Sequence, residues 1–467
     1  MTEPMQAPPD LVSLIAESPT EMLQRPMGIG DPARSALTHA MLLEWLSRPD
    51  LQDTFDLEAP EGQQALRRWF VREMSGAGLR ALRRRGSALL ERLGRGGNSY
   101  APGVNLVGYA QGVLGMGEHV RMSALAMRAA GVPSVIVDFT LGLGRRRQSG
   151  ELGLPVARAP RHRCNLFHVN ADQMPRTYFH LGSEFFARRY NIGYWAWELS
   201  RWPSEWLPAI GTVDEIWAPS RFVRDAIAPA THKPVHWMPL CVELPPMPSV
   251  SRSELGVDVG DYHFLFTFDG HSFFERKNPE AVVRAFKAAF PKEGAARLTV
   301  KAMNTHVSPE YWNALRTEAA SDDRIRLVDE TWSRDQVLAL LASCDAYVSL
   351  HRSEGFGRGP AEAMLLGKPV IVTDYSGTAD FCRKDNALLV DYELVEVKPG
   401  SYVADAGQVW ADPSIECAAR HMRALFEDRT LGPRIGERAR RTISDEFSAV
   451  AIGRRYRARL DQLGFLD

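Results

Sequence analysis

Glu354 and Glu362, with seven residues between them, are the acids best placed for chemistry in this sequence. They stand in HRSEGFGRGPAEAMLLGKPVI, directly after the short apolar run AYVSLH. Such a run reads as a buried parallel strand, and Gly355 and Gly357 break any helix extended through Glu354. Pro360 suits the first turn of the helix that follows, which carries Glu362 about one turn in. Glu354 is therefore expected in the strand-end loop and Glu362 on the helix, both near its N-terminal mouth. Unpaired amides at such a mouth attract phosphate. The backbone of Gly355, Phe356 and Gly357 against a diphosphate, with a carboxylate on either side to accept hydroxyl hydrogen bonds, describes a sugar-nucleotide site. Two glutamates at this spacing also occur by chance on solvated helix faces; the strand, glycine turn and helix around this pair favour the functional reading.

A second glycine loop follows NLVGYA: Gln111-Gly112-Val113-Leu114-Gly115-Met116-Gly117-Glu118, leading into the helix EHVRMSALAMRAAG. Gly115 and Gly117 let a backbone approach a ligand. Asp138 ends the next strand about 20 residues later, as a ribose-binding acid does in a dinucleotide site, so an NAD-dependent oxidoreductase is one alternative. The glycines run GxxGxG, not GxGxxG, which weakens it; a tight turn beside a solvated Asp138 is equally open. His168 in NLFHVNADQ and Glu198 in GYWAWELSRWPSEW lie at strand ends and are candidate acceptor or sugar contacts. His168 is the more ordinary case, a hydrogen-bonded strand-end residue. His162, Cys164 and His168 supply too few ligands at zinc spacing, and no DxD triplet occurs, so no metal site is expected. Nor does any Ser/His/Asp or Cys/His arrangement suggest a protein nucleophile.

The motif from Glu354 to Glu362 resembles the EX7E motif of family-4 retaining glycosyltransferases, and the likeness extends over roughly residues 103–440. It implies the GT-B fold: two Rossmann-like, doubly wound parallel-sheet domains facing a cleft. It further implies that Glu354 contacts the donor sugar and Glu362 the nucleotide ribose. That family places a basic pair on the first loop of the second domain, and FLFTFDGHSFFERKNPEAVVRAF supplies Arg276 and Lys277. Here the Arg stands next to the Lys, with His271 where the family's Arg would be. The implied donor is a nucleotide sugar bound as substrate, with no further cofactor, and the acceptor a glycan or lipid-linked molecule. Assembly of bacterial surface polysaccharide or lipopolysaccharide is the process suggested. A non-catalytic sugar-nucleotide binder is the remaining alternative.

The elements that must position these residues are legible from periodicity. Residues 1–98 read as a helical extension, with ARSALTHAMLLEWLSR and PEGQQALRRWFVREM at helical spacing, closed by a basic stretch from Arg80 to Arg95 and then glycines. Short apolar runs then alternate with amphipathic helices, the texture of βαβ units in an α/β protein. NLVGYA, SVIVDF, NLFHVN, NIGYWAWE, EIWAPS and VHWMPL fill a first Rossmann-like domain, residues 99–244. After Pro239, Pro245, Pro246 and Pro248, the runs FLFTFD, RLTVKAM, IRLVDE, AYVSLH, PVIVTD and ALLVDY fill a second, residues 245–440. Asn278, Ser333 and Asp412 are expected helix N-caps. Residues 441–467 form a last helix expected to return to the first domain.

Length, 467 residues, allows about three folding units, and 45% hydrophobic residues with 11 Trp describe an ordered globular chain. A net charge of −1 gives no global field for nucleic acid. The five cysteines are scattered and odd in number, which speaks against a disulfide framework and for a reducing cytoplasm. No signal peptide or membrane span is read. The Arg-rich stretch near residues 80–95 and RARRTISDEFSAVAIGRRYRARL could meet anionic lipid at the membrane's inner face, or simply be solvated helix faces.

Overall fold

A computed structural model describes residues 100–466, apart from residues 113, 139–153, 158, 248–251, 257–259 and 292–293, together with parts of residues 41–74. The segment ARSALTHAMLLEWLSR and the Arg80–Arg95 stretch fall almost wholly outside the described residues. PEGQQALRRWFVREM is a helix, α1 (Pro60–Met74).

All twelve apolar runs are strands. β1 (Ala101–Gly108), β2 (Ser134–Asp138), β3 (His162–His168), β4 (Tyr190–Tyr194), β5 (Glu215–Ala218) and β6 (Val235–Trp237) make one parallel sheet, ordered β2-β1-β3-β4-β5-β6. β7 (Tyr262–Asp269), β8 (Ala296–Met303), β9 (Ile325–Asp329), β10 (Ala346–Ser349), β11 (Val370–Thr373) and β12 (Leu388–Val390) make a second, ordered β12-β11-β10-β7-β8-β9. The inner strands read as continuous apolar runs because both their faces are buried, whereas the edge strands β6 and β9 are only partly covered. Leu106 and Leu166 face one core cluster, while their neighbours Val107 and Phe167 face the other. Asn105, Asn165 and Asn191 sit opposite one another on β1, β3 and β4 and bond in series at 2.8 and 3.0 Å, pinning that register with no buried amide group left over.

Each sheet has a point where the strand order reverses, between β1 and β3 and between β7 and β10. Crevices for ligands open at the carboxyl ends of strands at such points. The helices that follow β1, β7 and β10 there are α2 (Gly115–Ala129), α3 (Phe274–Lys277) and α4 (Arg358–Leu365).

Two elements that follow β12 in the chain reach across to the first half. The last helix, α5 (Ala449–Gln462), lies on α2 and on the first sheet. Tyr456 is fully buried against Tyr194 and Trp217, and Arg459 bonds Glu215 at 2.5 and 3.0 Å. The second is an antiparallel hairpin of β13 (Tyr392–Glu396) and β14 (Val409–Pro413), inserted after β12. Its Val397 and Trp410 bury themselves with Trp195, Trp197 and Trp202 of the first half.

The local expectations fare differently. Ser333 caps its helix through a full capping box. Asn278 stands at the expected cap position but makes no cap bond; its backbone is left-handed at φ 55° and its side chain donates to the Leu350 carbonyl at 3.0 Å. Asp412 lies in β14, where hairpin pairing overrides the local Asp-Pro signal, and Ser414 caps the following helix instead. NIGYWAWE is a strand only as far as Tyr194, although the Trp195 amide still donates to the Trp217 carbonyl of β5 at 3.1 Å. Among the described residues no helix is long and apolar enough to cross a membrane.

Candidate active site

The second reversal point gathers the acids and cations. β7 runs into α3, which carries Arg276 and Lys277, and β10 runs into the loop of Glu354, so adjacent parallel strands deliver opposite charges to one place. Glu354 Oε1 pairs with Lys277 Nζ, and Glu354 Oε2 lies 3.2 Å from Arg276 Nη1. Glu354 is 8% exposed and Arg276 4%. Burial alone would raise the Glu354 carboxyl, but Lys277 and Arg276 outweigh it and hold the group at about 2. Two cations face Glu354, and Glu198 acts on both from the other half, so groups of both signs meet at the strand ends, with the cations at hand for an incoming diphosphate. Arg276 Nη1 also donates to the Ser353 carbonyl at 2.8 Å, so its guanidinium is fixed from two sides.

The loop after Glu354 turns on Gly357, at φ 94°, where a Cβ would fall 2.2 Å from Thr378 Cγ2. Only glycine fits, and α4 starts there with Gly357 as its N-cap. Ala361 closes the first intrahelical bond to the Gly357 carbonyl at 3.2 Å, leaving the amides of Arg358 and Gly359 at the helix mouth. Ser376 Oγ accepts from the Glu354 amide at 2.8 Å and the Gly377 amide donates to the Glu354 carbonyl at 2.9 Å, bracing the loop from β11. Phe356 contributes backbone only, because its ring packs on Phe381 and Phe447 in the core.

Glu362, 4% exposed, sits one turn into α4. Its Oε1 takes Arg334 Nη2 and Arg358 Nε, both at 2.6 Å. Arg358 continues across the cleft to Glu118 at 2.8 Å, and Glu118 bonds Arg121 at 2.6 Å. Arg121 in turn donates to the carbonyls of Ala110 and Gly112. A single chain of charges therefore runs from Glu362 to the first glycine loop. In that loop a Cβ on Gly117 would lie 2.2 Å from the Gly112 carbonyl oxygen, whereas Gly115 faces open space. Asp138 accepts the Gln111 amide at 3.2 Å, so its carboxylate braces this turn.

His168 does not reach the cleft. It is fully buried at the end of β3, with Nδ1 2.8 Å from Nδ1 of His119, and burial holds both imidazoles well below their ordinary values. The pattern of a strand-end His did not reveal that α2 would cover it. Glu198 does face the second half: its Oε1 is 3.5 Å from where a Cβ of Gly355 would be, and its Oε2 accepts from Tyr402 Oη at 2.6 Å. His271 is held at its amide by Asp269 Oδ1, 3.0 Å away.

Sequence reasoning missed Tyr402, Arg334, Arg358 and the cross-cleft contact of Arg221 with Asp380, whose Oδ2 accepts the Arg221 amide at 2.9 Å. The alternation YELVEV followed by Pro399-Gly400 was the available signal for the hairpin that carries Tyr402. Among the described residues no group of three or more His, Cys, Asp or Glu side chains is arranged to hold a metal ion.

Residues 270–442 match the family model described as glycosyl transferases group 1. No curated protein matches the chain in sequence. Among solved structures, a complex of Anabaena Alr3699/HepE with UDP and glucose aligns with TM-score 0.56 at 15% identity, covering 77% of this chain and 100% of that one. Sucrose-phosphate synthase from Thermosynechococcus elongatus aligns with TM-score 0.57 at 15% identity, over 77% of this chain and 98% of that one. A glycosyltransferase from Rickettsia africae gives 0.55 at 13%, over 79% and 99%. The fold is GT-B, and with the group 1 domain in its second half the chain is supported as a GT-B glycosyltransferase.

Proposed function

We propose that this protein is a retaining glycosyltransferase of the family-4 type, in which Glu354 and Glu362 form the EX7E pair and a hexose-type sugar passes from a nucleotide donor to a glycan or lipid-linked acceptor without a metal. The observation that carries the reading is the triad of Glu354, Lys277 and Arg276 beside the mouth of α4 at the sheet's reversal point. As the bond from anomeric carbon to diphosphate oxygen stretches, positive charge grows on the sugar and negative charge on the leaving group. Lys277, Arg276 and the amides of Arg358 and Gly359 stabilise the latter, and Glu354 orients the sugar. The acceptor hydroxyl attacks on the leaving-group face, forms the new bond to the anomeric carbon, and passes its proton to the departing diphosphate. Retention follows without a protein nucleophile. Closure of the halves, residues 99–244 on the acceptor side and 245–440 on the donor side, excludes the water that would hydrolyse the donor.

UDP-hexoses lead the donors to be tried, because the aligned Anabaena structure holds UDP and glucose. The test is nucleotide release over UDP-, GDP-, ADP- and dTDP-sugars, with the anomeric configuration of the product assigned by NMR. An inverted product, or no release from any donor, defeats the reading. A place at the cytoplasmic face of the membrane, in surface polysaccharide assembly, fits the basic character of residues 438–460; flotation with anionic liposomes at low salt tests it, and no binding ends it.

A further inference from the structure

The inserted hairpin puts one side chain into the cleft. Tyr402, on the connection between β13 and β14, reaches the first half, where its hydroxyl donates to Glu198 Oε2 at 2.6 Å. Its ring lies edge-on to Phe273 at 4.6 Å, against Trp197 at 5.8 Å and under the Arg276 guanidinium at 5.7 Å. The tip is anchored independently. Gln408 accepts the Arg201 amide at 3.2 Å and returns a bond to the Arg201 carbonyl at 2.7 Å, while Val397 and Trp410 sit in the first half's core. Burial raises the Tyr402 hydroxyl well above its ordinary value, so it stays a donor.

A charge-assisted O–H to carboxylate bond of that length fixes the carboxylate plane. The other oxygen, Glu198 Oε1, accepts no hydrogen bond among the described residues. It is aimed at Gly355, 3.5 Å from where a Cβ would stand, in the loop that begins with Glu354. Two carboxylates, each an acceptor only, then border one space from opposite halves. A sugar lying there must offer hydroxyl donors to both. A sugar bearing its own carboxylate would add a third negative group beside these two, with Arg276 and Lys277 already paired to Glu354.

Resting on the glycosyl-transfer reading, we propose that Tyr402 is a positioning residue that aims Glu198 Oε1 at the donor sugar, and that Glu198 thereby selects uncharged hexoses over uronic acids. The full-length chain tests it with the neutral hexosyl donor that the wild type cleaves and the uronate of the same hexose and base. Tyr402→Phe keeps the ring and its contacts and removes only the hydroxyl. The expected result is kcat lowered at least tenfold, with affinity for the free nucleotide changed less than twofold, since the proposal sets Glu198 against the sugar and not the nucleotide. Glu198→Gln is expected to lower kcat similarly and to shrink the preference for the neutral donor at least tenfold. The double variant should be no worse than Glu198→Gln alone, within twofold, because both changes break one link. Wild-type kcat in Tyr402→Phe, multiplying effects in the double variant, or a wild type that prefers the uronate each overturns the proposal while leaving glycosyl transfer standing. A wild type that releases no nucleotide from any donor removes both.

Discussion

Replacing Glu354 by Gln separates the electrostatic role of this carboxylate from the catalytic one proposed for it. Gln keeps the size and an acceptor oxygen for Lys277 and Arg276 but mimics the protonated acid. Moving the carboxyl from its ordinary 4.5 to about 2 favours the ionised form by about 3 kcal/mol. Because the folded value is the lower one, this stabilisation is complete above the ordinary carboxyl range and lost as pH falls from there towards 2. Glu354→Gln should therefore unfold about 3 kcal/mol more easily at pH 7, and the two stability curves should converge in acid. Burial already lowers Lys277, with Glu354 opposing it, so the variant also pushes this lysine further towards neutrality. On turnover, loss of a charged contact to the sugar and a weakened Lys277 remove about 2–3 kcal/mol of transition-state stabilisation, roughly 30- to 160-fold in kcat. Urea unfolding followed by Trp fluorescence at pH 7, 5 and 3.5 reads the first effect, and nucleotide release at saturating donor reads the second. A stability loss with unchanged kcat would make Glu354 a structural counter-ion for two buried cations and refute its place in the reaction. Parallel stability curves at all pH values would refute the electrostatic argument itself.

Glu362→Ala should weaken donor binding by about 1.5–3 kcal/mol, roughly 10- to 150-fold, with kcat little changed; unaltered affinity in calorimetry would contradict the ribose contact. Glu118→Gln breaks the bridge from Arg358 to the first half, a partly exposed pair worth about 1 kcal/mol, so donor affinity should fall roughly fivefold and the ligand-free radius of gyration in X-ray scattering should rise. An identical radius would show that other contacts keep the cleft shut. Below pH 6.5 the unfolded chain protonates His119 and His168 while the folded chain does not, His119 holding out to about 3. Each should cost about 1.4 kcal/mol of stability per pH unit in that range, and a His119→Gln/His168→Gln variant with the wild-type slope would refute it.

The sheets were readable because most strands, though not the edge strands β6 and β9, are buried on both faces and so appear as apolar runs bounded by polar caps. Their order was not, since nothing in AYVSLH says that it lies beside FLFTFD. That adjacency is what brings Glu354 to Lys277. The motif supplied the pairing by resemblance, and the parallel register supplies its physical cause. Readings that stopped at one residue were less secure. His168 was a candidate contact only beside its more ordinary reading as a hydrogen-bonded strand-end residue, which its bond to His119 of α2 matches, and Asp412 before Pro413 looked like a cap until β13 paired with β14. For Asp412 a long-range contact overrode a local signal. Arg358 and Arg334 were silent for a related reason: an arginine on a helix reads as solvated surface unless its acidic partner, here Glu362 or Glu118, is known to be near.

Closure and chemistry use the same side chains. Glu362 is joined through Arg358 to Glu118, and Arg276 shares Tyr402 with Glu198, so each half of the cleft holds the other through groups that border the donor space. A donor that draws Glu362 towards ribose hydroxyls competes with Arg358 for the same carboxylate and leaves Arg358 free for the diphosphate or for Glu118. Binding would then strengthen the cross-cleft bridge rather than break it, because Glu118 loses a competitor for the guanidinium. The hairpin works in the other direction. Its anchors at Gln408, Val397 and Trp410 are set in the first half by contacts that do not include Glu354 or Glu362, so Tyr402 holds Glu198 without a sugar present. One link therefore answers to the nucleotide and the other stands pre-formed at the sugar. The two sets of substitutions should accordingly divide cleanly, Glu118 and Glu362 variants in donor affinity and Tyr402 and Glu198 variants in turnover.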